Sequence, residues 1–205
     1  MGVRAVAGDV VTAGVAGYAG TKVMEPVSRA LYKAESPETQ AKEDAVRPGP
    51  PYQLAAEKIA KAVGLNLSDK AVERAGMGFH YGLAISWAPL YGVLRRRAHL
   101  GGPLAAVVTG AAMSAVADEA LTPLLGFSAP NRFYPLATHG RGVAAHLVFG
   151  AAVGVVSEGV WALTGRRPTN RGAGRWRGQQ QQGRSSSTRQ SVGQASVTSR
   201  DRKLQ

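Results

Sequence analysis

The stretch "FHYGLAISWAPLYGVLRRRAHLGG", residues 79–102, decides the fold of this chain. Sixteen residues without a formal charge, 79–94, run into Arg95, Arg96 and Arg97, after which the sequence turns apolar again. Such a run is either a buried helix of a water-soluble domain or a helix that crosses a bilayer and is stopped by a cationic anchor. A helix rises ~1.5 Å per residue, so about 20 apolar residues cross the hydrocarbon core.

Working outward, four windows of that kind emerge: residues 5–24, 75–94, 101–125 and 142–165. Their only charged residues are Asp9, Lys22, Asp118, Glu119 and Glu158. The whole-chain averages hide this. Of 205 residues 44% are hydrophobic, and the mean hydropathy is only −0.11. Yet ten of the 25 Lys and Arg residues lie in residues 166–205, so that this tail carries most of the net +12. With "GQQQQGRSSSTRQS" and almost no core-forming residues, the tail reads as disordered.

Inside the windows, small residues recur every fourth position and so share one helix face. Gly8, Thr12, Ala16 and Gly20 do so in the first, Gly78, Gly82 and Ser86 in the second. Gly102, Ala106, Gly110 and Ser114 follow in the third, and Gly142, His146, Gly150, Gly154 and Glu158 in the fourth. Small faces give a water-driven core little to bury but allow close helix contact in lipid. The expected helix-packing positions are therefore Gly8, Gly20, Gly78, Gly82, Gly110, Gly150 and Gly154.

Charge placement orients the spans. With four crossings, Arg4, Arg95, Arg96, Arg97 and the basic tail share one side, which the positive-inside rule makes cytoplasmic, with both termini. Residues 25–74 fall outside, balanced at eight basic and eight acidic residues. There, Ser36-Pro37 predicts a capped helix start for "PETQAKEDAV", and "RPGPPY" breaks the chain. "YQLAAEKIAKAVGL" aligns Leu54, Ala55, Ile59 and Val63 along one stripe, and Ser68 opens the helix leading into the second span. The expected fold is an all-α, four-span membrane helix bundle over residues 1–165, with an extramembrane helical segment and a basic tail.

Ionisable residues at membrane depth cost ~2.5–3.5 kcal/mol on insertion scales and are functional candidates by default. His80, Asp118, Glu119 and His146 fall in the outer half, with His139 and Arg141 just above. Asp9 and Glu158 lie toward the inner side, where they are expected to face one another. The outer cluster has three readings. It is a set of interhelical hydrogen bonds, a protonatable site for transport or pH sensing, or a metal site of His80, His146 and Asp118 or Glu119. No spacing pre-forms the last, so no metal and no cofactor are expected.

Other signals are sparse. There are no cysteines, hence no disulfides or thiolate sites. Asp9 interrupts the first apolar run, which argues against a cleavable signal peptide, and "MGVRAV" lacks the Ser or Thr of a myristoylation signal. "GVAGYAG" resembles a phosphate loop only loosely, and neither a P-loop nor G-x-S-x-G occurs. No enzymatic activity is expected. The expected partners are membrane lipids, with anionic lipid held by Arg95, Arg96, Arg97 and the tail. Nucleic acid ranks behind lipid for the tail, and assembly as a homo-oligomer stays open.

"TKVMEPVSRALY", "PGPPY", "GFHYGLAISWAPLYG" and "DEALTPLLGFSAPNRFYPLATHGRGVAAHLVFG" resemble the YagU-type family of bacterial inner-membrane proteins, a domain of unknown function. The matching features are His80-Tyr81-Gly82 with Tyr91-Gly92, the Asp118-Glu119 pair, and the His139/His146 segment; the resemblance covers about residues 5–162 and excludes the basic tail. The resemblance implies a multi-helix inner-membrane protein and supplies no reaction or substrate. Two functions are thus in view: a structural or stress-related membrane component, and a small proton-linked transporter or channel.

Overall fold

Long stretches with few breakers fold as the windows predict, into helices. A computed structural model describes residues 3–168; the tail from residue 169 on, and the expectations placed on it, lie outside the described residues. Helix α1 (Val3–Ala34) runs for 32 residues and continues through Pro26. A two-residue break leads to α2 (Pro37–Val46), where Ser36 Oγ accepts the Thr39 N–H at 3.2 Å and Pro37 takes the first helical position. Then come α3 (Pro51–Ala62) and α4 (Asp69–Arg96), the latter containing the uncharged run 79–94 and the first two arginines after it. Ser68 stands at the start of α4 in extended conformation, but its side chain makes no capping hydrogen bond.

The next rod has three parts: α5 (Gly102–Met113), a π-helix (Ser114–Leu121), and α6 (Thr122–Leu124). Thr122 Oγ1 donates to the Ala117 carbonyl five residues back at 2.6 Å, in keeping with the wider winding. A 3₁₀ turn at Asn131–Phe133 precedes α7 (Leu136–Leu163). Among the described residues there is no strand, so the chain is all-α.

Helix α1 packs against α7 and α4, α5 against α7, and α3 against α4. The core is built mainly from alanines (Ala16, Ala84, Ala88, Ala105, Ala145), with Tyr91, Phe149, Val153 and Trp161 filling between them. Glycines set the closest approaches. A Cβ on Gly110 would collide with the His146 carbonyl, one on Gly150 with the Ala106 carbonyl, and one on Gly20 with the Phe149 ring at 2.7 Å. A Cβ on Gly154 would lie 3.1 Å from Tyr91.

Three expectations need correction. Gly78 and Gly82 face open space, and Gly17, outside the expected series, takes the α1–α4 contact, its Cβ position 2.7 Å from the Ile85 Cα. Gly8 meets the Arg166 side chain rather than another long helix. On α3 the buried face is Ala55, Ala56 and Ala60, while Ile59 and Val63 are 49% and 68% exposed. Small alanines let α3 lie close on α4, where Gly76 sits 3.0 Å from Gln53 Cα by its Cβ position.

Two helical rods, Gly102–Leu124 and Leu136–Leu163, are long and apolar enough to cross a membrane. Only 39% of the most apolar stretch of each is buried within the protein, and Leu104, Val107, Val155 and Leu163 are at least half exposed. Helices α1 and α4 have the length but not the apolar character. Asp9 and Lys22 dilute the one, and glycine, His80, Ser86 and Tyr91 the other.

Candidate functional site

The π-helix carries Asp118 and Glu119 side by side and sets them against His146 and His139, on different turns of α7. The π form winds more slowly per residue than an α-helix, and such turns are frequent at functional sites. His146 lies one turn below Gly142 on α7 and is buried. Its Nδ1 is 2.8 Å from the Gly142 carbonyl and 3.3 Å from Asp118 Oδ2. The imidazole is thus enclosed while 43% of the Asp118 side chain stays accessible. Glu119 Oε1 lies 2.8 Å from His139 Nδ1, and Asn131 Nδ2 donates to Glu119 Oε2 at 2.9 Å and to its backbone carbonyl at 2.8 Å. His139 Nε2 closes the ring 3.2 Å from the Asn131 carbonyl.

His80 joins a different carboxylate. Its Nε2 is 3.3 Å from Glu25 Oε1, which also accepts from the Tyr81 hydroxyl at 3.4 Å. The Tyr52 ring packs 5.2 Å from the imidazole. Asp118 is within electrostatic reach of both His80 and Glu119. The four outer residues therefore do not form one centre; they divide among three pairs, Asp118–His146, Glu119–His139 and Glu25–His80. Among the described residues no three His, Asp or Glu side chains converge as a metal ion requires.

At the opposite end, Asp9 and Glu158 do not face one another. Glu158 Oε1 accepts from Arg95 Nε at 2.5 Å and from the Tyr91 hydroxyl at 3.1 Å. Arg95 Nη1 also donates to the Leu100 carbonyl at 2.6 Å. Asp9 accepts from Arg96 at 2.6 Å and Arg166 at 2.8 Å, and the Arg96 guanidinium lies 4.6 Å from the Trp161 ring centre. This corrects the expected role of Arg95. It is 6% exposed and turned inward, so it is not free to meet lipid headgroups. Of the triplet only Arg97 is exposed and, among the described residues, without a partner.

One polar centre went unread in the sequence. Glu43, fully buried, accepts from Arg141 Nη2 at 2.6 and 2.7 Å, from the Thr138 hydroxyl at 2.6 Å, and from Arg47. Arg141 Nη1 reaches Glu35 at 2.5 Å, and its guanidinium lies 5.0 Å from the Tyr32 ring centre. The Tyr32 hydroxyl donates to Asp44 at 2.8 Å, which raises its pKa above the usual phenol value. The network ties the end of α1 and the C-terminal end of α2 to the start of α7. Its sequence signal was slight: a glutamate four residues before an arginine on a predicted helix reads as an ordinary surface pair.

Every carboxylate within the four apolar windows thus faces a base on another helix or on the segment just beyond one. Compared with known proteins, the chain matches no family model, no curated protein and no solved structure.

Proposed function

We propose that this chain is a four-span integral membrane protein of the YagU-like kind, with both ends cytoplasmic, a non-enzymatic, structural or stress-related component of a bacterial inner membrane. The observation that carries the reading is the pairing just described. Asp9–Arg96 links α1 to α4, Glu158–Arg95 links α7 to α4, and Asp118–His146 links the π-helix to α7. Charges set in apolar surroundings and cross-linked between helices are what a lipid-immersed bundle needs for cohesion. The outward-facing valines and leucines of α5 and α7 support the same reading.

A second reading has its own observation. Asp118 is accessible while its imidazole partner is enclosed, the arrangement of a proton-exchanging pair in a small proton-linked transporter or channel. One substitution separates the two. Under the structural reading, His146→Leu lowers the unfolding free energy in detergent by about 1 kcal/mol, the scale of interhelical polar contacts. Vesicles containing the unaltered protein then show no proton flux above lipid alone, measured with an entrapped pH dye. Proton flux in the unaltered protein, abolished in a fully folded His146→Leu variant, would replace the structural reading with the second.

A further inference from the structure

A cleft of about 450 Å³ opens between the N-terminal part of α1, the C-terminal part of α4 and the end of α7. That is within the roughly 300–1,000 Å³ of ligand sites. Its walls are apolar, with Val10, Ala13 and Val93 prominent among them, and Arg96, Arg97 and Asp9 stand at its edge. Val10 and Val93 are more than half exposed, so the cleft opens sideways onto the apolar surface of the helices. Trp161 lines it, is 3% exposed, and its indole N–H has no acceptor among the described residues.

We propose that this cleft binds an anionic phospholipid, its acyl chain along the valine wall and its phosphate at Arg97. The inference rests on the membrane reading above, which puts this end of the helices at the cytoplasmic leaflet. Two features choose the occupant. Among the described residues that line the cleft, two guanidinium groups, Arg96 and Arg97, stand against the single carboxylate of Asp9, so the rim attracts a net negative headgroup and repels a choline ammonium. The apolar walls offer nothing to a small free phosphate but match a hydrocarbon chain.

Trp161 is the natural reporter. The chain has three tryptophans, so Trp87→Phe with Trp176→Phe leaves it as the single tryptophan, excited selectively over tyrosine. The full-length protein is placed in vesicles containing a small fraction of phosphatidylglycerol with brominated chains in unlabelled phosphatidylcholine, and then in the reverse mixture. Contact quenching by brominated phosphatidylglycerol is expected to saturate at low mole fraction, with phosphatidylcholine far less effective. Arg97→Ala, at an exposed position, is expected to weaken the phosphatidylglycerol response roughly fivefold, the worth of one basic residue near an anionic surface. Val10→Phe, which fills the cleft from an exposed position, is expected to abolish the saturable part. Equal quenching by both lipids, or a response unchanged by Arg97→Ala, would reduce the cleft to ordinary boundary contact and overturn the proposal while leaving the membrane reading intact. A chain that does not enter vesicles at all overturns both.

Discussion

The decisive residue is one whose importance only its surroundings disclose. Glu43 is fully buried, and its charge is tolerable only because Arg141, Arg47 and the Thr138 hydroxyl surround it. A buried ion pair is not in itself a large source of stability, but removing one member leaves the other charged and desolvated. Arg141→Ala is therefore expected to cost about 3–5 kcal/mol, the range for breaking a buried pair. Glu43→Gln keeps the shape and leaves Arg141 still paired with Glu35, so it should cost less. Chemical unfolding of the detergent-solubilised protein, followed by circular dichroism, compares the two. Equal and small effects would mean that the clamp between α2 and α7 carries no weight.

Among the elements, the α5–α7 pair shows how a glycine face works and how far sequence spacing identifies it. Gly110 and Gly150 lie backbone to backbone with the opposite helix, so that even a methyl group has no room. Gly150→Ala is expected to destabilise the fold by about 1–3 kcal/mol, the usual penalty for overpacking. Gly82→Ala meets open space, and helix propensity there favours alanine by about 1 kcal/mol. Thermal unfolding in the same detergent should thus move in opposite directions for the two variants. A Gly82→Ala protein less stable than its parent, and smaller by sedimentation, would place that face in a homo-oligomer contact instead. The π-helix is the other element-level device. Its slower winding brings Asp118 to His146 and Glu119 to His139 from adjacent positions.

For the molecule as a whole, the distribution of apolar surface outweighs its amount. Valines and leucines point outward from α1, α5 and α7, while alanines and glycines fill the inside. In water that arrangement exposes what the hydrophobic effect would bury; against lipid it has no such cost, and the small residues let helices approach closely. The expected outcome is recovery in a carbonate-resistant membrane pellet. Of a C-terminal reporter pair, one active in the cytoplasm and one outside, only the cytoplasmic reporter should signal. Recovery in the supernatant would remove the basis for treating Asp118 and His146 as intramembrane groups, and an outside reporter would require an odd number of spans.

What the sequence determined by itself was local. The helix beginning at Pro37 was legible because Ser36 and Pro37 act on the turn next to them. The long helices were legible because apolar runs of about 20 residues are too long for a strand and suit a helix. The partners of the charged residues were decided by the tertiary structure. Arg95 and Glu158 are 63 residues apart in the chain, Arg96 and Asp9 87, and Arg141 and Glu35 106. Charge spacing along the chain put Arg95 at the lipid surface. The rotation of α4 about its own axis, set by Gly17 and Ala84 packing, turned it inward to Glu158 instead. A helix has one sequence but many possible phases against its neighbours. Which face turns inward depends on how closely all of them can approach at once, and no local signal in the chain encodes that.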